Sequence, residues 1–142
     1  MNCPLCQTHH PDEIWRNAHF YVIDAKDPLM PCFLRVIACR HVPEMTDLSD
    51  EERTELWKIL HVLEIELRQG LHPDKINLAQ FGNMVPHLHW HVIARWKDDT
   101  HFPECPWGPK QREVSDSLQS QRREALRRLI PNLQKALSAY VH

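Results

Sequence analysis

The stretch "VPHLHWHVIARW", residues 85–96, places histidines at 87, 89 and 91 within an otherwise apolar run. In an extended strand alternate side chains point to opposite faces, so His87, His89 and His91 would share one face while Leu88, Trp90 and Val92 share the other. A helix would turn by about 200° between successive histidines and scatter them. The neighbours Trp90, Val92 and Ile93 also favour strand, which makes one face core and the other a row of imidazoles.

The rest of the chain supplies what such a strand must pair with. "AHFYVIDA" (18–25) and "CFLRVIACR" (32–40) are rich in aromatic and β-branched residues, and the two prolines of "KDPLMP" separate them, as expected of neighbouring antiparallel strands. "KINLAQF" (75–81) followed by the turn "GNMVP" predicts a hairpin with the histidine strand, which is expected to run on to about Trp96. In "TDLSDEERTELWKILHVLEIELRQG", Ser49 is a candidate N-cap with Glu52 three residues on and Gly70 marks the end. Leu56, Ile59, Leu60, Leu63 and Leu67 then form one apolar stripe at helical spacing. After an irregular loop over 97–111, Leu118, Leu126, Leu129, Leu133 and Leu137 mark a last helix, which Pro131 should kink or restart. The expected architecture is α+β: an antiparallel sheet of about five strands with one long helix packed on it and a C-terminal helix. No repeat, low-complexity tract or linker divides the chain, so residues 1–142 are read as a single domain, with its core at about 3–106 and a C-terminal helical extension at 112–142.

Composition narrows the function classes. At 142 residues, with 42% hydrophobic and 25% charged side chains, the chain can bury a core of its own. A net charge of −2 leaves no footprint for specific or non-specific nucleic-acid binding. No apolar run approaches the roughly 18 residues of a membrane span, and the opening "MNCPLCQTHH" lacks the features of a signal peptide, so no membrane partner is expected and the cytoplasm is. The 5 cysteines form an odd set that includes Cys3-Pro-Leu-Cys6, which in a reducing compartment points to a metal site before a disulfide framework.

Three readings of the histidine row compete. The histidines line a polar sheet face; or all three bind one metal, although on a straight strand they span roughly 13 Å, too far to meet a single ion without a sharp bend; or a central imidazole is a nucleophile with neighbours that orient it and handle leaving-group charge. With an unperturbed pKa near ~6.5, an imidazole near neutral pH is suited to both attack and proton donation.

"HLHWHVI" (87–93) matches the His-φ-His-φ-His-φ-φ signature of the histidine triad superfamily, nucleotide hydrolases and transferases acting on the α-phosphate of nucleotide conjugates. Around it, "KINLAQFGNMVPHLHWHVIARW" resembles the family's strand, turn and strand, "FYVIDAKDPLMPCFLRVIACRHV" its first strand pair, and "MTDLSDEE" its helix entry. The resemblance covers roughly residues 3–106 and looks most like small proteobacterial members akin to diadenosine polyphosphate hydrolases. It implies a hydrolase in which His89 forms a covalent nucleotidyl-histidine, His91 contacts the phosphate or helps the leaving group depart, and His87 fixes the ring orientation of its neighbour. Asn77 falls near a family amide that touches phosphate and leaving-group oxygens. Asn83 stands where many members have glutamine, and Asn83, Val85 and His91 are the expected nucleotide-binding positions. Met84 supplies no hydroxyl where phosphoramidase members have serine, and "PCF" (31–33) replaces the usual Pro-Gly-His.

Structural zinc takes four ligands, commonly two thiolates and two imidazoles. Family members with an N-terminal Cys-x-x-Cys imply the set Cys3, Cys6, His41 and His87, with zinc in a structural role and no organic cofactor. Cys32, Cys39 and Cys105 are read as buried or exposed thiols, and His9, His10, His19, His61, His72, His101 and His142 as solvated surface. The family also implies a homodimer whose other partner is a nucleotide-conjugate substrate, of dinucleoside polyphosphate or nucleoside phosphoramidate type. The competing function is a non-catalytic zinc- and nucleotide-binding module.

Overall fold

The computed structural model describes residues 3–141, so the His142 reading lies outside the described residues. Strands β1 (Glu13–Arg16), β2 (Phe20–Asp24) and β3 (Phe33–Ala38) precede helix α1 (Asp50–Leu71). Strands β4 (Lys75–Gln80) and β5 (His89–Arg95) and helix α2 (Asp116–Tyr140) follow it. The five strands form one sheet in the order β1-β2-β3-β5-β4, with every neighbouring pair antiparallel. The α+β expectation is met, β4 and β5 form the expected hairpin, and the fifth strand is β1, which four residues of "EIWR" were too short to announce by periodicity.

Alternation along the strands sorts the two faces. Val22, Val36 and Val92 pack with Leu56, Leu60 and Leu63 of α1, and Leu126, Leu129, Leu133 and Leu137 of α2 complete the same core. On the opposite face Tyr21, Ile23 and Ile37 lie under Leu5, while Phe33 and Ile93 pack with Met30. The Tyr21 hydroxyl donates to the Leu5 carbonyl at 2.5 Å, which seats the N-terminal segment on the sheet. None of the described helices is long and apolar enough to cross a membrane.

Several boundaries differ from expectation for physical reasons. Ser49 caps α1 as expected, accepting from the Glu52 N–H at 3.1 Å while Glu52 accepts from the Ser49 N–H at 2.9 Å. Gly70, however, is inside α1, whose C-cap is His72 at φ 50°. An added Cβ at Gly70 would sit 2.5 Å from a Leu129 methyl, so this glycine lets α2 approach α1 and does not end the helix. Pro131 does not restart α2, which runs unbroken through it. His101, expected at the surface, is buried, with Nδ1 hydrogen-bonded to the Thr100 hydroxyl at 2.7 Å. Its loop is pinned by a buried ion pair, in which Arg95 Nε donates to Asp99 at 2.8 Å and Asp99 accepts in turn from the His101 and Phe102 N–H groups.

Candidate active site

Strand β5 begins at His89, so His87 is not on the strand with the other two histidines. It precedes the strand in a bent segment where the Leu88 N–H donates to the Val42 carbonyl at 2.7 Å. This bend divides the histidine row into two chemistries that a straight strand would have kept on one line.

His89 and His91 remain on the sheet face opposite the helices. Across β3 they pair with Ile37 and Arg35, and across β4 His91 pairs with Ala79. Their rings meet edge to face, with centroids 5.1 Å apart. The His89 Nδ1 lies 2.6 Å from the His87 carbonyl oxygen. A carbonyl only accepts, so Nδ1 carries the proton and Nε2 keeps its lone pair. The backbone of His87 thus sets the tautomer of His89. His91 is buried, and its Nδ1 has no partner among the described residues. Burial first, then the positive potential of His89 and Arg35, pushes its pKa down to about 4, which leaves the ring neutral at pH 7.

These two imidazoles line a cavity of about 630 Å3 whose wall includes Asn83, Val85, Leu5, Arg35 and Trp107. Asn83 and Val85, the expected nucleotide-binding positions, line the same cavity as His89 and His91. Asn77 shares the face of His91 and Ile93, but it lines an adjoining cavity of about 430 Å3, and its Oδ1 accepts from Arg95 at 2.9 Å. Trp107 and Phe81 stand between the two hollows, with Trp107 centroids 5.1 Å from His91 and 5.3 Å from Phe81. Sequence reading missed Arg35 and Trp107. Arg35 did leave a signal, a charge on the inward parity of an apolar strand, whereas Trp107 sits in a loop without periodicity.

His87 turns the other way. Its Nε2–H donates to the Ala38 carbonyl at 2.6 Å, which leaves Nδ1 as a lone pair. That Nδ1 is 3.5 Å from Cys3 Sγ, 3.4 Å from Cys6 Sγ and 3.1 Å from His41 Nδ1, and Cys6 Sγ is 3.1 Å from His41 Nδ1. The four ligand atoms all lie within 4.8 Å of one another. Around a tetrahedral metal with bonds of about 2.0–2.3 Å, ligand atoms stand roughly 3.3–3.8 Å apart, so this donor set fits a four-coordinate ion with little movement. The N-terminal segment, the end of β3 and the entry to β5 meet here.

Comparison with known proteins agrees with this fold. The chain is 29% identical over 107 residues to a bifunctional bis(5'-adenosyl)-triphosphatase/adenylylsulfatase of Arabidopsis thaliana, covering 72% of this chain and 55% of that protein. It is 35% identical over 89 residues to an AP-4-A phosphorylase of Mycobacterium tuberculosis, covering 58% and 46%. The chain thus spans about half the length of the curated relatives it matches. A histidine triad protein from Bradyrhizobium japonicum superposes with a TM-score of 0.68 at 29% identity, over 88% of this chain and 98% of that one. The HIT domain model matches residues 9–98, from before β1 to just past β5. A match over more than half of the sequence, in a chain with His89 and His91 on β5 and His87 at its entry, makes this chain a member of the HIT domain family.

Proposed function

We propose that this protein is a hydrolase of nucleotide conjugates that works through a covalent nucleotidyl-histidine on His89. The observation that carries this reading is the 2.6 Å bond from His89 Nδ1–H to the His87 carbonyl, which leaves the Nε2 lone pair as the free nitrogen of a ring that lines the cavity. In the first step Nε2 attacks the α-phosphorus, and the bond to the leaving group breaks with its electron pair. In the second, water attacks the same phosphorus, the P–Nε2 bond breaks with its electron pair returning to the imidazole, and the proton that water loses passes to solvent, freeing the nucleotide. His91 would contact the phosphoryl oxygens or supply a proton to the departing group. Asn83 and Val85 would border the nucleotide, and Asn77 would meet a longer leaving group from the adjoining hollow. The names of the two curated relatives make dinucleoside polyphosphates the first substrates to try.

On the same reading Cys3, Cys6, His41 and His87 hold a structural zinc. Bound there, the ion would cross-link three chain segments and would take no part in phosphoryl transfer. A homodimer is supported by the edge position of β4, where Leu78 is 39% exposed, and by Trp57 on α1, which is 51% exposed beside Trp90.

The test is to mix the protein with an α-32P-labelled dinucleoside triphosphate, quench within milliseconds, and map the label by peptide analysis. Label on His89 in the wild type and none in His89→Gly is the expected result. Turnover of His89→Gly within tenfold of wild type would remove the nucleophile assignment, and nucleotide binding without any turnover would favour a non-catalytic binding module.

A further inference from the structure

Arg35 is the one arginine or lysine among the residues lining the cavity of His89 and His91, and no aspartate or glutamate lines it. Its Nε is buried with no hydrogen-bond partner, and among the described residues none of its nitrogens is held by a hydrogen bond or a carboxylate. Several other arginines pair with a carboxylate: Arg16 with Glu13, Arg40 with Glu52, Arg95 with Asp99 and Arg122 with Asp98. Arg35 instead has an aromatic neighbour, its Cζ lying 5.4 Å from the Phe33 ring centroid. A partly buried guanidinium without a counter-ion is unfavourable by itself, and an arriving anion would relieve it. Burial lowers the Arg35 pKa, and the field of Asp27, which makes no ion pair with it, offsets this only in part.

The position of Arg35 specifies which anion. It faces His91 across the β3–β5 ladder and stands diagonal to His89, whose partner is Ile37. The contact with Phe33 draws the guanidinium along β3, away from His89. Two residues along a strand is about 6.6 Å, too far to share the oxygens of a phosphate bonded to His89 and suited to the next group in a chain. We propose that Arg35 binds a second anionic group of the substrate, adjacent to the phosphorus attacked by His89, and so selects conjugates whose leaving portion already carries an anionic tetrahedral group while bonded. Phosphate and sulfate share that chemistry, as a tetrahedral oxyanion that a guanidinium fork binds through two parallel N–H bonds. Leaving groups of this kind have low pKa values and need little protonation, which fits a site whose His91 is neutral.

This inference rests on the proposed hydrolase reading, and the experiment separates the two. kcat/KM is measured for wild type, Arg35→Leu and Arg35→Lys with conjugates of one nucleoside: a p-nitrophenyl ester and an amidate, whose leaving portions carry no charge while bonded to phosphorus, a dinucleoside triphosphate, and a nucleotidyl sulfate. Arg35→Leu should lose about tenfold or more on the triphosphate and the sulfate, the scale of one charge-assisted hydrogen bond, and stay within about threefold on the other two. Arg35→Lys should recover part of the loss. A loss on the triphosphate alone would restrict the site to polyphosphates and still support it. Equal losses on all four substrates, or a dependence on the base in place of the leaving group, would overturn it. Leucine suits this otherwise apolar strand, and circular dichroism verifies the fold of the variant. Inorganic tripolyphosphate titrated into wild type and Arg35→Leu gives a reading that needs no turnover: tighter binding by wild type, weakened by salt, supports the anion site even if no conjugate is hydrolysed, and equal binding refutes it.

Discussion

At neutral pH the imidazole of His91 is uncharged, because burial and its neighbours His89 and Arg35 hold its pKa at about 4, so any proton it gives comes from the neutral ring. Its help is then one N–H hydrogen bond to the departing atom, which matters most for groups that leave poorly. His91→Ala should therefore depress reaction with an amidate or alkyl ester by about 10²- to 10⁴-fold, the usual range for a positioned acid, and with a p-nitrophenyl ester far less. Single-turnover nucleotidylation of His89 measures both, and equal fractional losses would assign His91 to phosphate contact alone. No ionisation of His91 should enter the rate profile between pH 5 and 8, since its charged form accumulates only below about pH 4. Both histidines were legible as candidates from their spacing. Their protonation states were not, because a tautomer is set by whichever carbonyl folds against the ring.

Helix α1 was legible from its capping pair and its stripe of leucines, both local patterns. What that pair does beyond the helix depends on β3. The Glu52 carboxylate accepts from the Ser49 N–H and also from Arg40, at 2.8 Å from Nη2 and 3.2 Å from Nε. Arg40 is next to His41, so this bond ties the start of the helix to the strand end that carries a candidate metal ligand. The Arg40 bond, foremost, brings the Glu52 pKa down to about 2, against the opposing effect of burial. A folded-state pKa below the unfolded value means stability that is complete above about pH 4.5 and lost as the pH falls toward 2. Glu52→Gln should cost roughly 1–2 kcal/mol at pH 7, discounted because Arg40 is half exposed, and the gap to wild type should close between about pH 4.5 and 2. Urea unfolding at pH 7, 4 and 3 checks this, and a gap independent of pH would place the effect in helix propensity instead.

Across the whole molecule the cluster of Cys3, Cys6, His41 and His87 joins the first described residues to the strand of His89 and His91. Cys3 and Cys6 reach His41 at the end of β3 and His87 at the entry to β5, and the carbonyl of that same His87 orients His89. Protein purified without chelator is expected to carry close to one zinc per chain by elemental analysis. Cys3→Ser and Cys6→Ser should lose it and lower Tm by about 5 °C or more, since ligand binding adds to folding free energy. Stoichiometric zinc in the double variant would refute the ligand set. The sequence by itself determined the antiparallel hairpin, the long helix and the identity of the histidine strand, because alternation, capping and helical stripes are written in residues only a few positions apart. It also marked the cysteine pair as candidate metal ligands, and family resemblance supplied the two histidines that lie beside them. Only the tertiary structure decided that His87 leaves the strand and that Gly70 is a contact between helices. It alone placed Asn77 in a neighbouring hollow and Arg35 and Trp107 in the walls of the site. Each of those outcomes depends on where a residue from a distant segment comes to rest, and no spacing along the chain encodes that meeting until the sheet and both helices have closed on one core.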